Sequence, residues 1–317
     1  VAEVRIKSSF VYLANAVRDL TGNWKVMGLV LAPPVILASL CVLPDALNLQ
    51  HLVTEAFKIG NQGQTVGFWL TQESYPALAH IEPLVPPWVT RILNLLSLVL
   101  TAVTIVVVLC TLKWIREGDS QASVLDSALH IYRRSGTRLL PFTWLFLLQL
   151  IAALPMVIWV NATIPLLFEV PVVLLIVPGF LAFEWLAVAQ YALVFDGYRT
   201  WLALFYGREL IRGRFMRVTV RIIVFLAVWS GYNSWAGGAF LALSLLLGLL
   251  GAFAGALWAG VYIADLLLIS VVFVTTAFFF AAGLRLYEDL KASAPPAAVT
   301  MVKGPLSPTG PLARAVS

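Results

Sequence analysis

Long apolar runs alternate with short polar segments along most of the chain. Runs at about 26–44, 92–112 and 139–160, within 165–195, from about 218, and at about 262–284 each approach or exceed the length a helix needs to cross a bilayer, which is about 20 residues. The pattern predicts an all-α integral membrane protein with six transmembrane helices. Pro33 and Pro34 remove consecutive backbone donors from the first span and predict a kink there. Pro171 and Pro178 predict an irregular fourth span. The segment 218–260 is too long for one simple span and holds Gly231, Gly237 and Gly238. It reads as a broken span, or as a span followed by an outer-leaflet or re-entrant helix at 239–258. Gly251 and Gly255 make a Gly-x-x-x-Gly pair, extended by Gly248 and Ala259, and such small-residue seams let helices approach closely.

The polar segments set the orientation. Asp196 to Arg221 carries six arginines (Arg199, Arg208, Arg212, Arg214, Arg217, Arg221) between two apolar runs. Arginine is costly in the bilayer centre and accumulates on the cytoplasmic side of spans, so this stretch is placed inside. Parity then puts every Lys and Arg except Lys58 and Arg91 on the cytoplasmic side, with both termini there. The expected location is the inner (plasma) membrane. Three cytoplasmic segments also read as amphipathic interfacial helices. In residues 1–25, Phe10, Leu13, Ala14 and Val17 share a face that excludes Arg18 and Asp19, and Gly22 closes the helix. Val124, Ala128, Ile131 and Tyr132 form a second stripe. Trp201, Leu204, Phe205 and Ile211 form a third, with Arg208, Arg212 and Arg214 elsewhere. Each precedes an outward-going span and carries glycine and basic residues toward its end, a pattern of three repeats of interfacial helix, span out, span back. The domain plan is therefore an interfacial helix at 1–25, a membrane domain at 26–291 with an outer loop at 45–91, and a flexible Pro-rich tail at 292–317. Trp69, Tyr75 and Trp88 suit an aromatic belt beside the outer loop.

Composition narrows the function. The chain is 61% hydrophobic and 12% charged, with a formal net charge of +5. The basic residues flank apolar spans and do not form one patch with stacking aromatics, so a nucleic-acid partner is excluded. Cys41 and Cys110 fall at opposite ends of their spans, roughly 20 Å apart by helical rise, too far for a disulfide. The first 25 residues hold no apolar core with a small-residue cleavage site, so no secretory signal is expected. His51, His80 and His130 all lie outside the spans, which argues against histidine-ligated haem or chlorophyll in the bilayer. No zinc spacing, Walker loop or Gly-x-Ser-x-Gly elbow is present. No cofactor and no enzymatic activity are expected.

The run ALVFDGYRTWLALFYGRELIRGRFMRVTVRIIVF, together with Arg285-Leu-Tyr-Glu-Asp-Leu-Lys291, resembles a prokaryotic family of six-span proteins. That family includes the membrane domain fused to some glycerophosphoryl diester phosphodiesterases. Its pattern is an acidic residue after span 4, an Ala-Leu and Gly-Arg-Phe amphipathic segment, and a closing Leu-Tyr-x-Asp-Leu-Arg. Asp196, Ala203-Leu204, Gly213-Arg214-Phe215 and Leu286-Tyr287-x-Asp289-Leu290-Lys291 match it. The 45–91 loop and the absence of a soluble catalytic domain depart from the fused enzymes. The resemblance therefore implies the six-span fold and does not carry the phosphodiesterase activity over.

Few ionisable groups fall within the spans. Glu184 lies mid-span in Phe-Glu-Trp, Asp265 in the outer part of span 6, and Glu169 near the outer end of span 4. An intramembrane carboxyl is costly and marks either a proton or cation site or a neutral acid that bonds across helices. The arginines Arg208, Arg212, Arg214 and Arg217 are candidates for lipid-headgroup or partner contacts. The expected partners are membrane lipids and other membrane subunits. The function that follows is a non-catalytic accessory or scaffold subunit of a larger membrane complex. The alternative is a transporter or channel-like protein for a lipid or small solute, working through the Glu184 region.

Overall fold

The computed structural model describes residues 6–61, 82–118, 123–161, 166–253 and 257–294, and all regular structure among them is helical. The helices are α1 (Ser9–Gly22), α2 (Trp24–Asn61), α3 (Pro87–Glu117), α4 (Val124–Asn161), α5 (Leu166–Tyr191), α6 (Thr200–Ile211), α7 (Phe215–Phe253) and α8 (Leu257–Ala292). A π-helical turn, Ala192–Asp196, extends α5. Six stretches are long and apolar enough to cross a membrane: Trp24–Asn48, Pro87–Glu117, Val124–Pro155, Ile176–Asp196, Phe215–Phe240 and Trp258–Ala292. Trp69 and Tyr75 of the outer loop, Gly255 of the small-residue seam and the tail from residue 295 lie outside the described residues.

The break expected at the glycines of 218–260 is absent among the described residues. α7 is continuous through Gly231, Gly237 and Gly238, because each interior glycine costs only about 1 kcal/mol, less than unpaired backbone groups would cost away from water. At 1.5 Å per residue its 39 residues extend about 58 Å, roughly twice the hydrocarbon thickness. Segment 239–258 is thus not a separate helix at its start; it prolongs α7 as far as Phe253. α2 likewise runs through Pro33, Pro34 and Pro44 and continues into the segment read as an outer loop, as far as Asn61. α5 runs through Pro171 and Pro178. The second cytoplasmic stripe does not form its own helix either. Residues 124–138 are the first turns of α4, because a single interior glycine such as Gly136 costs only about 1 kcal/mol.

The chain divides into two units. The first comprises Val1–Leu31, Ala102–Ser230 and Thr275–Ser317; the second comprises Ala32–Thr101 and Gly231–Val274. Two of the four divisions fall beside helix-weakening residues, before Pro33-Pro34 in α2 and at Gly231 in α7; the other two, at 101/102 in α3 and 274/275 in α8, do not. The large core belongs to the first unit. Tyr12, Leu109, Ile131, Phe142, Leu193 and Leu290, drawn from five different segments, are all fully buried in it. Within the second unit Ser39 of α2 and Tyr262 of α8 share a hydrogen bond of 3.0 Å, and Asn48 accepts from the Val85 N–H at 2.7 Å. Cys41 and Cys110 are both buried and unbridged.

In the first unit α5 packs along α4 and α6. The α5–α6 contact depends on a missing side chain. A Cβ on Gly207 would stand 3.0 Å from Ala189 N and 3.1 Å from Trp185 O, both backbone atoms that cannot swing aside. Trp185 Nε1 donates to Leu204 O across the same contact. Gly136 by contrast has nothing within 4 Å of its missing Cβ. Gly207→Ala is expected to cost about 1–3 kcal/mol through overpacking. Gly136→Ala, in a helical and open position, is expected to be neutral or stabilising by up to about 1 kcal/mol. Thermal unfolding of the two variants in detergent tests this; equal effects would contradict the close approach.

Candidate functional site

The arginine-rich end of the first unit is held together by charged and phenolic side chains from helices far apart in sequence. α5 ends in the π turn, with Gly197 in the left-handed conformation (φ 75°) that closes it. Carbonyls at a helix end lack intrahelical partners. Lys113 of α3 supplies them, donating from Nζ to Val194 O at 3.0 Å and to Phe195 O at 2.6 Å. The next residue, Asp196, accepts from Lys291 Nζ at 2.5 Å and from the Tyr287 hydroxyl, both on α8. The segment after α5 and the 285–291 stretch of α8, far apart in sequence, therefore meet in space.

Further ties complete this end. Arg285 of α8 grips Asp19 of α1 with two nitrogens, at 3.0 and 2.7 Å. Arg116 of α3 reaches the same Asp19 at 3.5 Å and Glu288 at 3.0 Å. Arg134 of α4 pairs with Glu117 of α3 at 2.6 Å. The Tyr12 hydroxyl donates to Asp289 at 2.6 Å while accepting from the Lys7 N–H. Burial, and then the bond to Asp289, push the Tyr12 phenol well above its ordinary range, so it remains a donor at neutral pH. Burial also pushes Tyr198, beside Asp196, up to about 12. Tyr132 of α4 donates to Val30 O of α2 at 2.6 Å.

The candidate arginines separate into two groups. Arg214 is not available for a headgroup: it bonds Ser293 Oγ at 2.6 Å, Ser293 O and Leu290 O. Arg221 is likewise internal, donating to Lys7 O and Ile6 O at 2.9 and 3.2 Å. Arg208 and Arg217 are exposed and have no ion-pair partner among the described residues. Arg212 is exposed, with Glu209 at 3.4 Å.

The expected apolar face of α6 is split between two environments. Leu204 and Ile211 are buried, with Tyr206, Gly207 and Leu210, whereas Trp201 and Phe205 are exposed. α1 behaves in the same way: Leu13 is buried with Tyr12 and Ala16, while Phe10, Ala14 and Val17 face outward. In each case the sequence stripe was drawn across the boundary between a core-facing side and an outward side, both apolar.

Glu184 of α5 is fully buried. Its Oε2 accepts from Thr219 Oγ1 of α7 at 3.2 Å, and its Oε1 has no hydrogen-bond partner among the described residues. Thr219 lies about 6 Å along α7 from Phe215, within the arginine segment and between Arg217 and Arg221. So although Glu184 stands twelve residues before Asp196 on its own helix, it is bonded to the first turns of α7. Six residues further on, Gln190 donates to Gln149 of α4 at 2.6 Å. Gln149, Gln190 and Thr219 did not stand out in the sequence reading; polar side chains inside apolar runs were the available signal. Asp265 is elsewhere, in the second unit, half-buried near the like-charged Asp45. Glu169 lies in the first turn of α5, and its side chain is outside the described part. Among the described residues no three His, Cys, Asp or Glu side chains converge as around a metal ion.

No protein-family model, curated protein or solved structure matches the chain. The Glu184–Thr219 bond is open to a direct test. Thr219→Val is expected to cost about 1–2 kcal/mol by leaving both Glu184 oxygens unpaired. In a Glu184→Leu background the same change is expected to cost nothing, a coupling of at least about 1 kcal/mol. Additive melting shifts across the four proteins would show that the pair contributes no coupling.

Proposed function

We propose that the chain is a non-catalytic, multi-pass membrane protein that serves as an accessory or scaffold subunit of a larger membrane assembly. The observation that carries this reading is the use made of the acids at the arginine-rich end. Asp19, Glu117, Asp196, Glu288 and Asp289 each bond a basic or phenolic group on another helix. Carboxylates held in such pairs position helices; they are not free to exchange protons with a substrate. A rigid collar of this kind suits a subunit that presents fixed surfaces to neighbours. In this reading the collar and both termini lie in the cytoplasm, as the distribution of Lys and Arg suggests.

A second reading, transport of a lipid or small solute, is favoured by one observation: the buried Glu184 with one oxygen unpaired among the described residues. A carboxyl so placed has an open position for a proton or a cation.

The test is extraction from native membranes in mild detergent, followed by size analysis and mass spectrometry of what co-migrates. A stoichiometric partner chain is the expected outcome, and a lone monomer or homo-oligomer overturns the subunit reading. For the transport reading, flux into proteoliposomes is expected to fall at least tenfold in Glu184→Gln; unchanged flux removes Glu184 from any such role.

A further inference from the structure

The arginines of the first unit fall into two populations with different geometry. Arg116, Arg134, Arg214, Arg221 and Arg285 turn inward and bond protein atoms. Arg18, Arg133, Arg199, Arg208 and Arg217 are exposed and have no ion-pair partner among the described residues. Three of these, Arg18, Arg133 and Arg208, share a local arrangement that the first group lacks.

On α1, Phe10, Ala14 and Arg18 follow one another at four-residue intervals and all are exposed. On α4, Leu125, Leu129 and Arg133 repeat that spacing and exposure. On α6, Trp201, Phe205 and Arg208 do the same with a final step of three. Steps of three and four keep side chains on one face of a helix. Each helix thus carries an outward ridge of two apolar residues followed, toward the C-terminus, by a bare arginine. The ridges are well exposed, with Phe10 at 74%, Leu125 at 60% and Trp201 at 67%.

These faces cannot turn inward. The opposite side of each helix is locked in the core, by Tyr12 and Ala16 in α1, by Ala128 and Ile131 in α4, and by Leu204, Gly207 and Leu210 in α6. An exposed aromatic beside an unpaired guanidinium is unfavourable in plain water but suits the boundary between acyl chains and phosphates, where the apolar residue is buried and the arginine snorkels. The acids that could have neutralised these arginines are engaged elsewhere: Asp19 with Arg285, Glu117 with Arg134, and Asp196 with Lys291. Charge complementarity therefore calls for anions from outside the chain.

We propose that the three ridges form a binding surface for anionic phospholipids, with Arg18, Arg133 and Arg208 on headgroup phosphates and the paired apolar residues in the acyl boundary. This inference is independent of whether the chain is a subunit or a transporter. Arg212 and Arg217, also exposed, lie beside the α6 ridge and add to its charge.

The test uses the full chain purified in neutral maltoside micelles, with dioleoyl phosphatidylglycerol or dioleoyl phosphatidylcholine added and bound lipids counted by native mass spectrometry. The wild type is expected to retain phosphatidylglycerol over phosphatidylcholine. Each bare arginine is worth roughly fivefold in affinity near an anionic surface, so Arg18→Gln/Arg133→Gln/Arg208→Gln is expected to weaken phosphatidylglycerol binding by on the order of 100-fold. The corresponding triple lysine variant keeps the charge and is expected to stay within a few-fold of wild type. Melting in lipid-free micelles is expected to be the same for all three proteins. Equal retention of the two lipids by the wild type overturns the proposal without any variant. So does undiminished phosphatidylglycerol binding by the glutamine variant, or displacement of the lipid by inorganic phosphate, which would indicate a free-phosphate site instead.

Discussion

The end of α5 is the constraint on which the rest of the first unit depends. A helix that stops among other helices leaves carbonyls without partners, and away from water they must be satisfied by side chains. Here Lys113 takes Val194 O and Phe195 O, and Asp196 takes Tyr287 and Lys291. One helix terminus thereby fixes α3 and α8 against α5. Gly197 then turns the chain so that α6 returns along α5, where Gly207 allows the backbones to touch. The position of α6 in turn sets the start of α7, and with it the meeting of Thr219 and Glu184.

That arrangement separates two uses of charge. Inward charges are matched in pairs and act as ties between helices: Asp19 with Arg285 and Arg116, Glu117 with Arg134, Asp289 with Tyr12. Outward arginines are unmatched within the described chain and sit at the ends of apolar ridges. Partly buried bidentate pairs such as Arg285–Asp19 have the geometry that makes a tie worth more than an exposed contact, because both nitrogens are engaged with one carboxylate. The same residue type therefore serves cohesion on one side of a helix and is offered to the surroundings on the other.

Much of this was legible in the chain. The number of long apolar stretches, their order and the clustering of arginine between the fourth and fifth follow from composition and run length, and six helices of suitable length are present. The end of α1 at Gly22 was legible as well, but not its start at Ser9. Helix continuity was not. Gly136, Gly231, Pro33 and Pro44 are punctuation in water, yet α4, α7 and α2 pass through them. Where backbone groups cannot turn to solvent, a glycine or proline costs less inside a helix than a break would. Nor could the stripes on α1 and α6 be divided correctly, since both sides of those helices are apolar and periodicity does not say which side meets protein.

By itself the sequence determined what each segment could be: its length, its apolar content and the charge at its ends, all properties of neighbours along the chain. Only the tertiary structure decided which arginines are ties and which are bare, and which hydroxyl donates to Glu184. Arg214 and Arg208 are six residues apart and indistinguishable by type, but one meets Ser293 across the fold and the other meets no acid among the described residues. Asp196 and Tyr287 are 91 residues apart and Tyr12 and Asp289 are 277 apart. Such partners are set by helix packing, whose energy comes from shape and burial over whole faces, and no local pattern encodes them.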